Sequence, residues 1–264
     1  MDHTLLFVLS GFAVGVIVGL TGVGGGSLMT PLLIFFFHIQ PALAIGTDLL
    51  FAAITKSVGI VKHQRHGNID WRITALLAAG SMPAALLTLW WLRVTQIDKA
   101  SINTYMQQAL GFMLVLTATA ILLTLLLRKK RVTHHEHATH SNQVSRQRQA
   151  VTVLLGAALG FLVTFSSVGA GAVGMVALYA LYSKSPAVKL VGSDIAHAVP
   201  LTLIAGLGHA AMGSVDWNLL LVLLIGSVPG IWVGSHMSSK APEWLLRPLL
   251  CTILIVSGMK LLTS

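Results

Sequence analysis

The stretch Gly19–Pro31, GLTGVGGGSLMTP, sits between two apolar runs, and its reading decides the fold. Glycine disfavours helix by roughly 1 kcal/mol relative to alanine, so the glycines at 19, 22, 24, 25 and 26 predict a helix break. In water such a break is a loop. In hydrocarbon the freed N–H and C=O groups have no solvent, and protein or a bound solute must satisfy them.

Composition selects between these environments. The 264 residues are 55% hydrophobic and only 9% charged, and mean hydropathy is +0.82. Soluble domains carry about 25% charged residues, so an ordinary soluble domain is excluded and an integral membrane protein is indicated. Apolar blocks run over Leu5–Phe37, Ala44–Val61, Trp71–Leu92, Met106–Leu127, Ala150–Tyr182, Leu190–Ala211, Trp217–Met237 and Leu245–Leu262. Most match the ~20 residues that a helix needs to span hydrocarbon. None alternates with period two, so the expected class is all-α, a polytopic helical membrane protein rather than a barrel. The start, Met1-Asp2-His3-Thr4, lacks the basic region of a signal peptide and is expected to be retained. The lone Cys251 excludes an intramolecular disulfide and a cysteine metal cluster. A net charge of +9 would suit nucleic acid in a soluble protein. Here it indicates loops that face anionic lipid and the cytoplasm, so the bilayer is the expected partner and nucleic acid is not.

The chain contains one sequence twice. Shifted by 145, Gly11, Gly15, Val23, Gly24, Gly26 and Pro41 fall on Gly156, Gly160, Val168, Gly169, Gly171 and Pro186, and Thr21 falls on Ser166. Shifted by 146, Gly46-Thr47-Asp48 falls on Gly192-Ser193-Asp194, His63 on His209, and Gly67, Asp70 and Trp71 on Gly213, Asp216 and Trp217. Gly80, Ser81 and Pro83 likewise fall on Gly226, Ser227 and Pro229. The expected organisation is a first transmembrane repeat over 1–127, a basic, histidine-rich cytoplasmic linker over 128–149, and a second transmembrane repeat over 150–264.

Transporters built from repeats place their site at the repeat interface, with the copies either parallel or inverted. Lysine and arginine favour cytoplasmic loops and discriminate between the two. If Leu5–Phe37 and Ala150–Tyr182 each cross once, the copies are parallel, with ten basic residues inside and six outside. If each turns back as a hairpin at its glycines, the copies are inverted. Thirteen then lie inside and three outside (Arg93, Lys99 and Lys260), with Lys56 in the membrane. The inverted arrangement fits better, and a shallower re-entrant dip stays open as a variant of it.

The glycine-rich GLTGVGGGSLMTPLL, the AIGTDLL that follows, the HGNIDW turn and the second copy resemble the sulfite exporter TauE/SafE family over nearly the whole chain. The resemblance implies a multi-pass inner-membrane carrier for small sulfur-containing anions such as sulfite or organosulfonates.

Where a helix breaks and restarts, the first amides of the new helix point outward unpaired and carry roughly half a positive charge. Such an end binds anions. The expected substrate-binding residues are therefore Gly22, Gly24, Gly25 and Gly26 with Gly169, Ala170 and Gly171, joined by the hydroxyls of Thr21, Ser27, Ser166, Ser167, Thr47 and Ser193. The Gly11-x3-Gly15-x3-Gly19 and Gly156-x3-Gly160 faces suit close helix packing. Exposed, they would permit a homodimer. Asp48 and Asp194 are either helix-start residues behind capping Thr47 and Ser193 or a protonatable pair that couples anions to protons. Lys56 either snorkels toward Lys62 and Arg65 or acts as a counter-charge for the anion or Asp48. His197, one turn after Asp194, either shares its proton or bonds a neighbouring carbonyl, and His63 and His209 are expected at the interface.

A small-anion secondary transporter is the leading function. No ATP-binding G-x4-G-K-[ST] loop is present, so gradients would supply the energy. One alternative is a divalent metal-cation transporter, suggested by His134, His135, His137 and His140 together with the two aspartates. Another is an intramembrane serine hydrolase using Ser166 or Ser167 with His197 as base. No cofactor or resident metal is expected.

Overall fold

The computed structural model describes residues 3–21, 26–95, 98–131, 145–169, 171–237 and 243–263. Among them the chain is all helix. The first half holds α1 (His3–Thr21), α2 (Gly26–Phe37), α3 (Pro41–Arg65), α4 (Trp71–Val94) and α5 (Lys99–Arg131). The second holds α6 (Arg146–Ser166), α7 (Ala172–Leu181), α8 (Ala187–Ala211), α9 (Trp217–Met237) and α10 (Glu243–Thr263). Each half runs in the same order, with a short second helix of 12 residues in α2 and 10 in α7. At 1.5 Å per residue these are about 18 and 15 Å long, roughly half of a ~30 Å hydrocarbon core. Each long glycine-containing block is thus one longer helix followed by one half-length helix. Five helices (α4, α5, α6, α8 and α9) are long and apolar enough to cross a membrane by length and composition.

Local chemistry sets the helix ends. Asp70 caps α4 by accepting from the amides of Arg72 at 3.0 Å and Ile73 at 3.3 Å. Its counterpart Asp216 accepts from Leu219 at 2.9 Å at the head of α9. Pro41 opens α3 at the position where a missing N–H costs nothing. Trp71 and Trp217, next to the two capping aspartates, are exposed, as the interfacial belt requires.

Packing crosses between the halves. Helix α1 lies on α9 and α6 lies on α4, each pair parallel, with Gly226, Gly230 and Gly234 following Val8, Phe12 and Val16 in step. A methyl group at Gly11 would lie 2.4 Å from the Leu223 carbonyl oxygen, and one at the matching Gly156 would lie 2.2 Å from that of Leu77. The same correspondence joins Gly15 to Ser227 and Gly160 to Ser81. The Gly-x3-Gly faces are consumed inside the chain, which corrects the expectation that they lie exposed for a dimer.

Matching helices meet head to tail. Gly46 of α3 faces His209 and Ser214 at the end of α8 while Leu50 faces Gly206, so α3 and α8 are antiparallel. Helices α5 and α10 are antiparallel as well, Gln107 bonding the Leu261 carbonyl and Cys251 the Ala118 carbonyl. The apolar cores correspond too. Leu33, Ala44, Leu219 and Leu223 share one cluster, and Leu178, Leu190, Ile73 and Leu77 share another.

These contacts leave no volume for a side chain at the crossings. Gly80 sits so close to α6 that a methyl group there would be 1.9 Å from the Val153 carbonyl oxygen. Gly80→Leu is expected to lower the melting temperature of the detergent-solubilised protein, at an overpacking cost of about 1–3 kcal/mol. Ala79→Leu, one residue away on an exposed position, leaves it unchanged.

Candidate functional site

Asp48 is fully buried inside α3. The helix begins at Pro41, a full turn and more before it, so Thr47 and Asp48 are not a cap and first turn. Helix α8 begins at Ala187, and the same correction applies to Ser193 and Asp194. Burying a carboxylate in a membrane protein is costly and needs compensation. Asp48 obtains it from both halves. Thr30 Oγ1 of α2 donates a short hydrogen bond to Oδ2, and Ser167 Oγ donates to the same oxygen at 2.9 Å. The second oxygen, Oδ1, is buried with no hydrogen-bond partner among the described residues.

Ser167 belongs to the second helix break. Helix α6 stops at Ser166, Ser167 takes the left-handed conformation at φ 58°, and its amide donates to the Val163 carbonyl at 2.8 Å. Gly169 and Gly171 follow at φ 124° and 130°, values that L side chains rarely adopt, and α7 starts one residue later. The glycines of this break therefore perform the turn. Ser166 Oγ bonds the Leu162 carbonyl at 2.7 Å and accepts from the Val168 amide at 3.3 Å, holding the break rather than facing a solute. Gly22, Gly24, Gly25 and Ala170 lie outside the described residues, as does the histidine cluster of the linker. Thr21 ends α1 and Gly26 begins α2, and Ser27 is buried in the first turn of α2.

Thr47 and Ser193 brace the opposite half. Thr47 Oγ1 accepts from the Asp216 amide at 3.1 Å, and Ser193 Oγ accepts from the Asp70 amide at 2.8 Å while donating to the Lys189 carbonyl at 2.7 Å. Each hydroxyl fixes the turn that starts the other copy's fourth helix.

Asp194 is buried like Asp48 but differently surrounded. Its Oδ1 has no hydrogen-bond partner among the described residues. A methyl group at Gly174 of α7 would lie 2.6 Å from that oxygen, so the glycine makes room for the carboxylate. The positions matching Met29 and Thr30 are Gly174 and Met175, so the second copy lacks the threonine donor. Lys56, half-buried on α3, lies within Coulombic reach of Asp48, Asp194 and His197.

His197 does not bond a backbone carbonyl. Its Nε2 is 2.8 Å from Ser81 Oγ of α4, and its Nδ1 has no partner among the described residues. Ser167 is engaged with Asp48 and Ser166 with its own helix, so the hydroxyl and imidazole of the hydrolase alternative are not brought together. His209 is fully buried and bonds the Thr164 carbonyl at 2.9 Å through Nε2, which corrects its expected interfacial place. Thr30 and Ser81 are the residues that sequence reasoning missed. Thr30 lies within the glycine-rich stretch, and Ser81 within a matched Gly-Ser-x-Pro motif. Both carried a signal as buried hydroxyls that could serve an intramembrane aspartate or histidine.

Comparison with known proteins agrees with this architecture. A family model described as sulfite exporter TauE/SafE matches residues 7–261. The probable membrane transporter protein YjnA of Bacillus subtilis (strain 168) is 39% identical over 256 residues, 97% of this chain and 98% of its own. A second protein of that strain, the probable membrane transporter protein YdhB, is 29% identical over 258 residues, with 98% and 100% covered. The probable membrane transporter protein MJ0441 of Methanocaldococcus jannaschii is 26% identical over 274 residues, with 97% and 94% covered. No solved structure matches the chain significantly.

Interhelical hydrogen bonds inside membrane proteins average about 0.6 kcal/mol and reach about 1.7. Ser81→Ala strips His197 of its bond and is expected to cost about 0.6–1.7 kcal/mol, read as a lower melting temperature in detergent. Thr119→Ala, an exposed hydroxyl bonded only within its own helix, serves as the reference and is expected to change it little.

Proposed function

The chain belongs to the TauE/SafE family of membrane transporters, and we propose that it is a secondary exporter of small sulfur-containing anions such as sulfite or organosulfonates. The observation that carries the reading is the meeting of Thr30 and Ser167 on one buried oxygen of Asp48. Through it the start of α2 and the second helix break lie side by side, with hydroxyl donors from both halves aimed at a negative charge. Donors fixed around a negative oxygen in a water-poor setting are the chemistry that holds a small oxyanion.

In this reading the two halves are inverted copies, and the broken helices with Gly22, Gly24–Gly26 and Gly169–Gly171 line the midplane site. The 128–149 linker faces the cytoplasm, and the protein resides in the inner membrane. The head-to-tail meeting of α3 with α8 and of α5 with α10 supports inversion. Lys56 is the counter-charge that offsets a carboxylate or a bound anion. Asp48, Asp194 and His197 carry the protons that couple anion movement to a gradient. Unlike a metal-cation site, the described centre offers hydroxyl donors and a lysine beside its carboxylates, which repels divalent cations.

The purified protein in liposomes tests this directly. Efflux of labelled sulfite and methanesulfonate is expected, altered by an imposed pH gradient, with at least a tenfold loss in Lys56→Met at equal membrane insertion. Divalent-metal flux without anion flux would overturn the proposal.

A further inference from the structure

Asp48 is surrounded in a lopsided way. A carboxylate offers about four lone-pair directions over two oxygens. Here both hydroxyl donors converge on Oδ2, and Oδ1 is left buried without a partner among the described residues. The donors also come from opposite halves, one from the half-length helix α2 and one from the break that precedes the half-length helix α7. A carboxylate whose task was only to join the halves would gain from bonds to both of its oxygens. What the two hydroxyls hold is a single negative oxygen, which is what an oxyanion would present to them.

We propose that the Asp48 carboxylate is a tethered substitute for the transported anion: Thr30 Oγ1 and Ser167 Oγ form the anion's hydroxyl subsite, and the carboxylate fills it until protonation frees both donors. This rests on the transport reading and names, within that site, the donors and their competitor. The step balances in charge. A neutral, protonated Asp48 plus a bound monoanion carries the same net charge as the ionised carboxylate, so the charge that Lys56 faces is unchanged by the exchange. The protonated carboxyl gains an O–H donor and keeps only a neutral, weaker acceptor, so the charged oxygen of the anion displaces it from the two hydroxyls.

The surroundings fit this exchange. Among the described residues the charged group acting on Asp48 is Lys56 on α3, which also reaches Asp194 and His197 on α8. Residues 26–37 and 166–178 contain no titratable side chain, so none of the groups that would receive the anion competes for the proton. Among the described residues the same break offers space, since a methyl group at Gly171 would meet none of them within 4 Å. The subsite occurs once. Met175 replaces the threonine in the second copy, so the chain binds one anion per molecule despite its duplication.

By linkage, anion and proton must strengthen one another's binding by the same factor. Methanesulfonate, whose charge is constant across the physiological range, is the suitable probe for calorimetry on the full-length protein in detergent. The wild type is expected to bind one equivalent, at least tenfold more weakly at pH 8 than at pH 6. Asp48→Asn is expected to bind at least tenfold more tightly than wild type at pH 8 and to lose the pH dependence. In the Asp48→Asn background, Thr30→Val and Ser167→Ala should each weaken binding at least tenfold, with Thr30→Ser restoring it. If Thr30→Val elutes as aggregate, Ser167→Ala carries that arm alone. An Asp48→Asn protein that binds no more tightly at pH 8, or that keeps the wild-type pH profile, overturns the inference. So does full binding after loss of the hydroxyls. Sulfite flux by the wild type alongside such a result leaves the transport reading intact. A wild type that neither binds methanesulfonate nor moves sulfite overturns both.

Discussion

Backbone lying against backbone across the two halves is the contact on which the rest of the structure depends. In lipid no hydrophobic force draws one helix to another, so association relies on close van der Waals fit and interhelical hydrogen bonds. Glycines at 11 and 15 on α1 and at 156 and 160 on α6 bring those helices to within a methyl group of α9 and α4. The first helix of each copy thereby becomes the neighbour of the other copy's fourth. With those pairs fixed, α3 and α8 are forced together in the middle, and the buried aspartates travel with them.

The polar groups of the centre divide by task. Thr47 and Ser193 secure turns of the opposite half, and His197 and His209 each bind a group from another helix. Asp48 is held by both halves at once, whereas Asp194 lies against Gly174 and shares Lys56. Matching positions on α3 and α8 thus give two carboxylates unlike settings. The difference traces to substitutions between copies, Met29-Thr30 against Gly174-Met175 and Gly22 against Ser167.

Much of the architecture was legible in the sequence because it rests on residue types with few uses in a membrane. Aligned glycines, prolines, aspartates and tryptophans pointed to the all-helical class and to the break around Gly169, and the Gly-x3-Gly faces read correctly as packing surfaces. Their partner was not legible: spacing tells that a face is small, and says nothing of whether α9 or a second molecule covers it. Helix starts were misplaced because Pro41 and Pro186 open helices several residues before hydropathy rises, which moved Asp48 and Asp194 from a first turn into the interior. Thr30 and Ser81 escaped because a hydroxyl in an apolar helix bonds its own backbone by default. Only the three-dimensional approach of Asp48 and His197 diverts them.

The interlaced pairing of first and fourth helices also bears on how the protein is made. Val8 and Gly226 touch, yet more than two hundred residues separate them along the chain. At a translation rate of about 5–20 residues per second, α1 resides in the bilayer for roughly ten to forty seconds before α9 emerges from the ribosome. Throughout that interval its glycine seam is open to lipid or to the insertion machinery. The nascent amino-terminal half is therefore an unfinished surface whose complement arrives only with the last fifth of the polypeptide.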